Sequence, residues 1–108
     1  MRQAGMYQLS YHVPVDYLEA TKVAVFAAGA GSAEGYDQCC WQVLGEGQFR
    51  PLPGSRPHLG RAGEIERVPE YHVEVICPDA SIAAVVAALQ DAHPYEVPSY
   101  AVVRLETF

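Results

Sequence analysis

The sequence predicts an α+β domain of order βαββαβ, with one four-stranded antiparallel sheet and two helices on one of its faces. Three observations predict it. Four segments alternate apolar and polar side chains, two others repeat apolar residues at helical spacing, and glycines and prolines punctuate the joins. With 108 residues, half of them hydrophobic, the chain is long enough for one core and too short for two.

Residues 1–5 read as a loose N-terminal tail, and 6–108 as the single domain. Met6 to Val13 alternates, with Tyr7, Leu9, Tyr11 and Val13 on one face and Gln8, Ser10 and His12 on the other. Pro14 ends that strand and suits the first turn of a helix, where its missing N–H costs nothing. A helix is predicted from 15 to about 28, with Asp16 and Glu19 at its positive end and Gly29 as its stop. A glycine loop over 29–35 follows. It does not fit the dinucleotide-binding spacing, and it leaves a helix instead of opening one, so a nucleotide fingerprint is excluded.

Gln38 to Leu44 alternates as the second strand, with Cys39, Trp41 and Val43 sharing a face. Gly45 to Gly63 holds five Gly and three Pro in nineteen residues, and is predicted to be an extended hairpin arm with short pairings near Gln48 to Leu52. Glu64 to Cys77 is the clearest strand. Pro69 cannot donate to a ladder, so a bulge or bend is expected there. Asp79 and Ser81 offer caps for a helix carrying Ile82, Val85, Val86, Leu89 and Ala92, which Pro94 terminates. Tyr100 to Leu105 is the last strand. This order is that of a ferredoxin-like fold, in which the first and third strands are central neighbours.

Composition excludes several functions. Seven basic residues against thirteen acidic ones leave a net charge of −6, so phosphate-driven nucleic-acid binding and attraction to an anionic membrane are not expected. The longest apolar runs have eight residues, far short of the roughly 20 a membrane helix needs. No secretory signal is visible at the start. Three cysteines, two of them adjacent, have neither scaffold nor zinc spacing, and point to a reducing, cytoplasmic compartment.

The face opposite the helices is expected to carry Gln8, Ser10, His12, Cys40, Gln42, Glu70, His72 and Glu74. His12, Cys40 and His72 are the alternative metal ligands there, for zinc or copper. A solvated or subunit-facing surface explains the same alternation without any metal. His93, flanked by Asp91 and Glu96, permits an acid–base reading, against which stands a His93 that merely caps the helix C-terminus.

Six separated motifs stand in a recognisable order: Ala28-Gly-Ala-Gly31; Gly35-Tyr36 with Cys39; Gly45-Glu-Gly-Gln-Phe-Arg-Pro51; Gly54, Pro57 and Gly60; Gly63-Glu-Ile-Glu66; and Ala92-His-Pro-Tyr-Glu96. From about Tyr7 to Leu105 the chain resembles the domain inserted in the longer members of the YqfO/YbgI family, the relatives of the yeast NGG-interacting factor. That insert is similar in fold to CutA and the PII nitrogen-signalling proteins, so the resemblance implies a trimer. Full-length members resemble dinuclear metal proteins whose ligands lie in two flanking lobes. The 108 residues match only the insert, so no dimetal site and no metal-dependent hydrolase activity carries over. Where the family reads His-Pro-Tyr-Glu-Glu-Pro-Ala-Tyr, this chain has His93-Pro-Tyr-Glu-Val-Pro-Ser-Tyr100, and Val97 removes the second acid.

The expected function is a non-enzymatic, homo-oligomeric module that binds a small ligand or a protein partner and needs no cofactor. Its expected ligand residues are Gly29, Gly31, Tyr36, Arg50, His93, Tyr95 and Glu96, converging on a cleft within or between subunits. Glycine-rich backbone with Arg50 suits a small anion, which Tyr36, Tyr95 and Glu96 would orient. The alternative is the metal-binding protein, and a small enzyme using His93 and Glu96 comes last.

Overall fold

The computed structural model describes residues 5–108, and the expected tail otherwise lies outside them. Strand β1 spans Met6–Pro14, with Leu9, Tyr11 and Val13 wholly buried and His12 exposed, as the alternation requires. A single 3-10 turn, Val15–Tyr17, then leads into helix α1, Leu18–Ala27. The α-helix therefore begins three residues later than the sequence predicts. Tyr17, at φ −111° and ψ 5°, is still outside helical geometry. Gly29 ends the helix at φ +121°, a conformation closed to most side chains.

Strand β2 is Trp41–Phe49, displaced towards the C-terminus from the predicted 38–44. Gln38 has φ 55° and the Cys39 N–H donates to the Gly31 carbonyl at 2.8 Å, so extended pairing starts only at Trp41. Strand β3, Glu66–Pro78, pairs with β2 without interruption from Trp41↔Glu74 to Phe49↔Glu66. The expected bulge at Pro69 is absent. Pro69 faces Glu46, just past the Pro14↔Glu70 pair that ends β1, so its missing N–H falls on a free edge of the sheet.

A second 3-10 turn, Asp79–Ser81, precedes helix α2, Ile82–Ala92. Neither expected cap makes a side-chain capping bond: Asp79 pairs with Arg104 at 3.5 Å, and Ser81 lies against Gly29. Strand β4 is Tyr100–Leu105, as predicted. The sheet order is β2-β3-β1-β4, antiparallel throughout, so β1 and β3 are the central neighbours.

The core lies between the sheet and the two helices. Leu9, Tyr11, Val13, Val73, Val75 and Cys77 supply the sheet side, and Leu18, Val25, Val85 and Leu89 the helix side. Each such aliphatic side chain removed from water contributes about 1.5–3 kcal/mol. The buried Tyr11 hydroxyl donates to Thr21 at 3.1 Å, and Thr21 donates to the Leu18 carbonyl at 2.9 Å, so neither polar group is stranded. Burial pushes the Tyr11 phenol up to about 12.

Beyond β1 the β2–β3 pair continues as a two-stranded arm, and the molecule measures 54 × 23 × 23 Å. The register corrects the predicted faces. Trp41 and Val43 share the open side with Glu74 and His72, whereas Gln42 pairs with Val73 on the helix side, where it accepts from Lys22 Nζ at 3.0 Å. Cys40, one residue before β2, falls by the same alternation on the side of Gln42, away from His72.

Candidate functional site

The site begins where α2 ends. His93 is buried, and its backbone N–H closes the helix onto the Leu89 carbonyl at 2.9 Å. Its ring is fully used: Nε2–H donates to the His12 carbonyl at 2.6 Å, and Nδ1 accepts the Tyr95 backbone N–H at 3.2 Å. Those two bonds define a neutral ring. Burial lowers its pKa, opposed by the His12 carbonyl. His93 is therefore a clip joining the end of α2 to β1. Both of its ring nitrogens are engaged by backbone groups, and its backbone N–H is what closes the helix.

The turn that His93 fixes places Tyr95 over the arm. The Tyr95 hydroxyl donates to Glu70 Oε2 at 2.7 Å, and its ring meets Phe49 at 5.7 Å between centroids. Burial, with Glu70 adding to it, raises the Tyr95 pKa well above the usual phenol value. Glu96 Oε1 accepts the Arg56 backbone N–H at 3.2 Å, tying this turn to the loop at the tip of the arm. That loop closes at its base, where the Gly63 N–H donates to the Pro51 carbonyl at 2.8 Å. Between loop and turn lies a cavity of about 430 Å³, walled by Phe49, Pro51, Leu52, Pro57, Leu59 and Tyr95, with Arg50, His58, Glu70 and Glu96 as its charged or titratable groups. This volume is in the range of small-molecule sites.

A second hollow, of about 410 Å³, opens on the sheet side and shares Gln48, Glu70 and Ser99 with the first. It exposes a hydrogen-bonded row. Ser99 Oγ meets His12 Nδ1 at 3.1 Å, His12 Nε2 meets His72 Nδ1 at 3.0 Å, and His72 Nε2 meets Glu74 Oε1 at 3.0 Å. One proton order satisfies every member: Ser99 donates to His12, His12 to His72, and His72 to Glu74. Two of the three alternative metal ligands, His12 and His72, are thus brought together, and Cys40 is not. His72 spends both ring nitrogens inside the row. Among the described residues no group of three or more His, Cys, Asp or Glu is arranged to hold a metal ion.

The expected ligand residues fall into two groups. Arg50, His93, Tyr95 and Glu96 gather at the arm. Gly29, Gly31 and Tyr36 lie at the other end of β3, where the Gly31 N–H donates to the Ile76 carbonyl at 2.8 Å and Tyr36 turns back onto Ala33. Six steps along the strand separate Glu70 from Ile76, about 20 Å at 3.3–3.4 Å each. Within one chain, then, the glycine backbone and Arg50 do not converge on an anion. What sequence reasoning missed is Leu52, Pro57, His58 and Leu59 as walls, and Glu70 as the buried acid between the two hollows. The signal for Leu52 and Leu59 was apolar residues in a segment otherwise composed as a loop.

No family model matches the chain. A GTP cyclohydrolase 1 type 2 homolog of Mycobacterium leprae is 46% identical over 94 residues, which is 87% of this chain and 24% of that protein. The chain thus spans about a quarter of the length of this relative. Among solved structures, a Bacillus cereus protein related to NIF3 superposes with a TM-score of 0.85 at 33% identity, over 99% of this chain and 27% of that one. CutA from Xylella fastidiosa superposes at 0.69 with 19% identity, over 95% of this chain and 86% of that one. A Bacillus subtilis GlnK–ATP complex follows at 0.62 with 9% identity, over 97% of this chain and 85% of that one. The last two speak for fold alone. Identity across nearly the whole domain speaks for descent: the chain is homologous to the inserted region of the NIF3-related (YqfO) proteins, the GTP cyclohydrolase 1 type 2 homologs, and carries the CutA/PII-like fold.

Proposed function

We propose that this chain is a non-enzymatic, homo-oligomeric binding module, assembled as a trimer, that takes a small ligand in the arm cavity. The observation that carries the assembly is the open side of the sheet. Trp41, Val43 and Val103 stand there 58%, 45% and 55% exposed, and β2 and β4 are both free edges. Apolar side chains on an uncovered sheet face favour burial against other copies, and the likeness to CutA and PII proteins implies three of them.

The cavity is the support for a ligand, and its volume, with mostly apolar walls and a few charged groups, favours a small molecule over a protein partner. Gly29, Gly31 and Tyr36 enter this reading only as a contribution from another copy. Support for a binding role over catalysis comes from His93, whose two ring nitrogens are both committed to backbone groups. Free cysteines, Cys39 and Cys40 exposed and Cys77 buried, support a cytoplasmic setting. Among the described residues no helix is long and apolar enough to cross a membrane.

Native mass spectrometry of the purified protein tests the proposal. The expected result is three times the 11.8 kDa chain mass. A bare monomer at micromolar concentration overturns the assembly.

A further inference from the structure

Glu70 is only 8% exposed, yet among the described residues no cation lies within ion-pairing distance of it. One oxygen, Oε2, is held by the Tyr95 hydroxyl at 2.7 Å. The other, Oε1, has no hydrogen-bond partner, although it is not sealed from the surroundings, since no fully buried side-chain oxygen is left unpaired among the described residues. Glu70 lines both hollows, with Oε1 lying on the side of Gly47. A carboxylate taken out of water and left half-satisfied is costly, and a positively charged donor repays that cost. The chain makes room for this acid. Gly47 sits diagonally across the ribbon, where a Cβ would overlap the Glu70 carboxylate.

We infer that Glu70 is the anchor of an organic-cation site: the arm cavity takes an ammonium or guanidinium group carried on an apolar or aromatic body. This deepens the ligand-binding reading and rests on it. The cation is held by the Glu70 carboxylate where it borders the arm cavity, and its body lies along Phe49 and Tyr95, whose rings add attraction for positive charge. Glu96 on the rim and a net charge of −6 draw cations towards the cavity mouth. Arg50 also borders the cavity, but it is exposed and forms no ion pair with Glu70. The same chemistry has two sources, a free amine or an arginine side chain of another copy of this chain.

The test is calorimetric titration of the full protein with three probes of one shape: benzylammonium, benzyl alcohol and phenylacetate. The expected order is benzylammonium tighter than benzyl alcohol by about tenfold, with phenylacetate weakest. Glu70→Gln, which keeps an oxygen for Tyr95, is expected to erase the preference while circular dichroism stays unchanged. If an arginine of another copy fills the site instead, benzylammonium does not bind, and Glu70→Gln lowers the assembly mass in native mass spectrometry. Two outcomes overturn the inference. One is phenylacetate binding as well as benzylammonium, which leaves the ligand-binding module standing with a different ligand. The other is no probe binding together with an unchanged assembly in Glu70→Gln. The three-probe comparison on the unmodified protein stands even if the variant misfolds.

Discussion

At the scale of single residues, His93 shows how a group of catalytic type can be spent on architecture. Its imidazole joins the end of α2 to the backbone of β1 through a 2.6 Å bond, and its position fixes the turn that delivers Tyr95 to Glu70. Burial lowers its pKa below the ordinary 6.5, so the unfolded chain takes up a proton before the folded one does. The sign follows: the contribution of His93 to stability is intact above the unfolded pKa, and declines as pH falls below about 6.5 towards the folded pKa. Urea unfolding followed from pH 7.5 to 5 should therefore show stability falling with acid. In His93→Gln the part of that slope due to His93 should be absent, with about 1–3 kcal/mol lost at neutral pH from the orphaned His12 carbonyl and Tyr95 N–H. The other three histidines are common to both proteins, so the difference between the two profiles isolates His93.

At the scale of elements, the β2–β3 arm carries the site, and its geometry turns on Gly47. Adding a Cβ there drives it into the Glu70 carboxylate, which makes way only by disturbing its bond from Tyr95. Gly47→Ala is expected to cost about 1–3 kcal/mol in urea unfolding, as overpacking does. Gly54, with nothing within 4 Å of a Cβ but φ +94°, would pay only for backbone strain. This arm is also where the sequence was hardest to read. Alternation located β1 and β4 to within a residue, and helical spacing located α2, because each has one face on the core. Past Pro14 the ribbon no longer has β1 and the helices beneath it, so residues 45–49 show no alternation and two glycines make them look like a loop. Glu70 was legible as a polar residue of β3, but its burial depends on a register that sets Gly45 and Gly47 beside it, and register is a long-range property. Tyr95 and Glu96 stood out by resemblance. The distance between them and the glycine loop could only come from the length of β3.

At the scale of the whole molecule, the two faces of the sheet have unequal fates. One is closed by helices over wholly buried Leu9, Tyr11, Val73 and Leu89. The other combines the His12–His72 row with Trp41, Val43 and Val103, and the register of β2 and β4 puts these apolar side chains on the same side. If this face joins the copies, charge placed on it must separate them while leaving the fold intact, because the core lies on the opposite side. The double variant Val43→Glu, Val103→Glu tests that logic. Both side chains are about half exposed in the single chain, so for an isolated domain the change should stay within roughly 0.5 kcal/mol per site. Between copies, the same glutamates would be buried repeatedly around a closed assembly with no cation opposite them, a cost of several kcal/mol for each. The expected outcome is a folded monomer by native mass spectrometry, with an unchanged far-ultraviolet spectrum. An undiminished trimer would move the interface to the sheet edges or the arm. The histidine row would then be a solvent-facing feature, and the exposed Trp41 would need another partner.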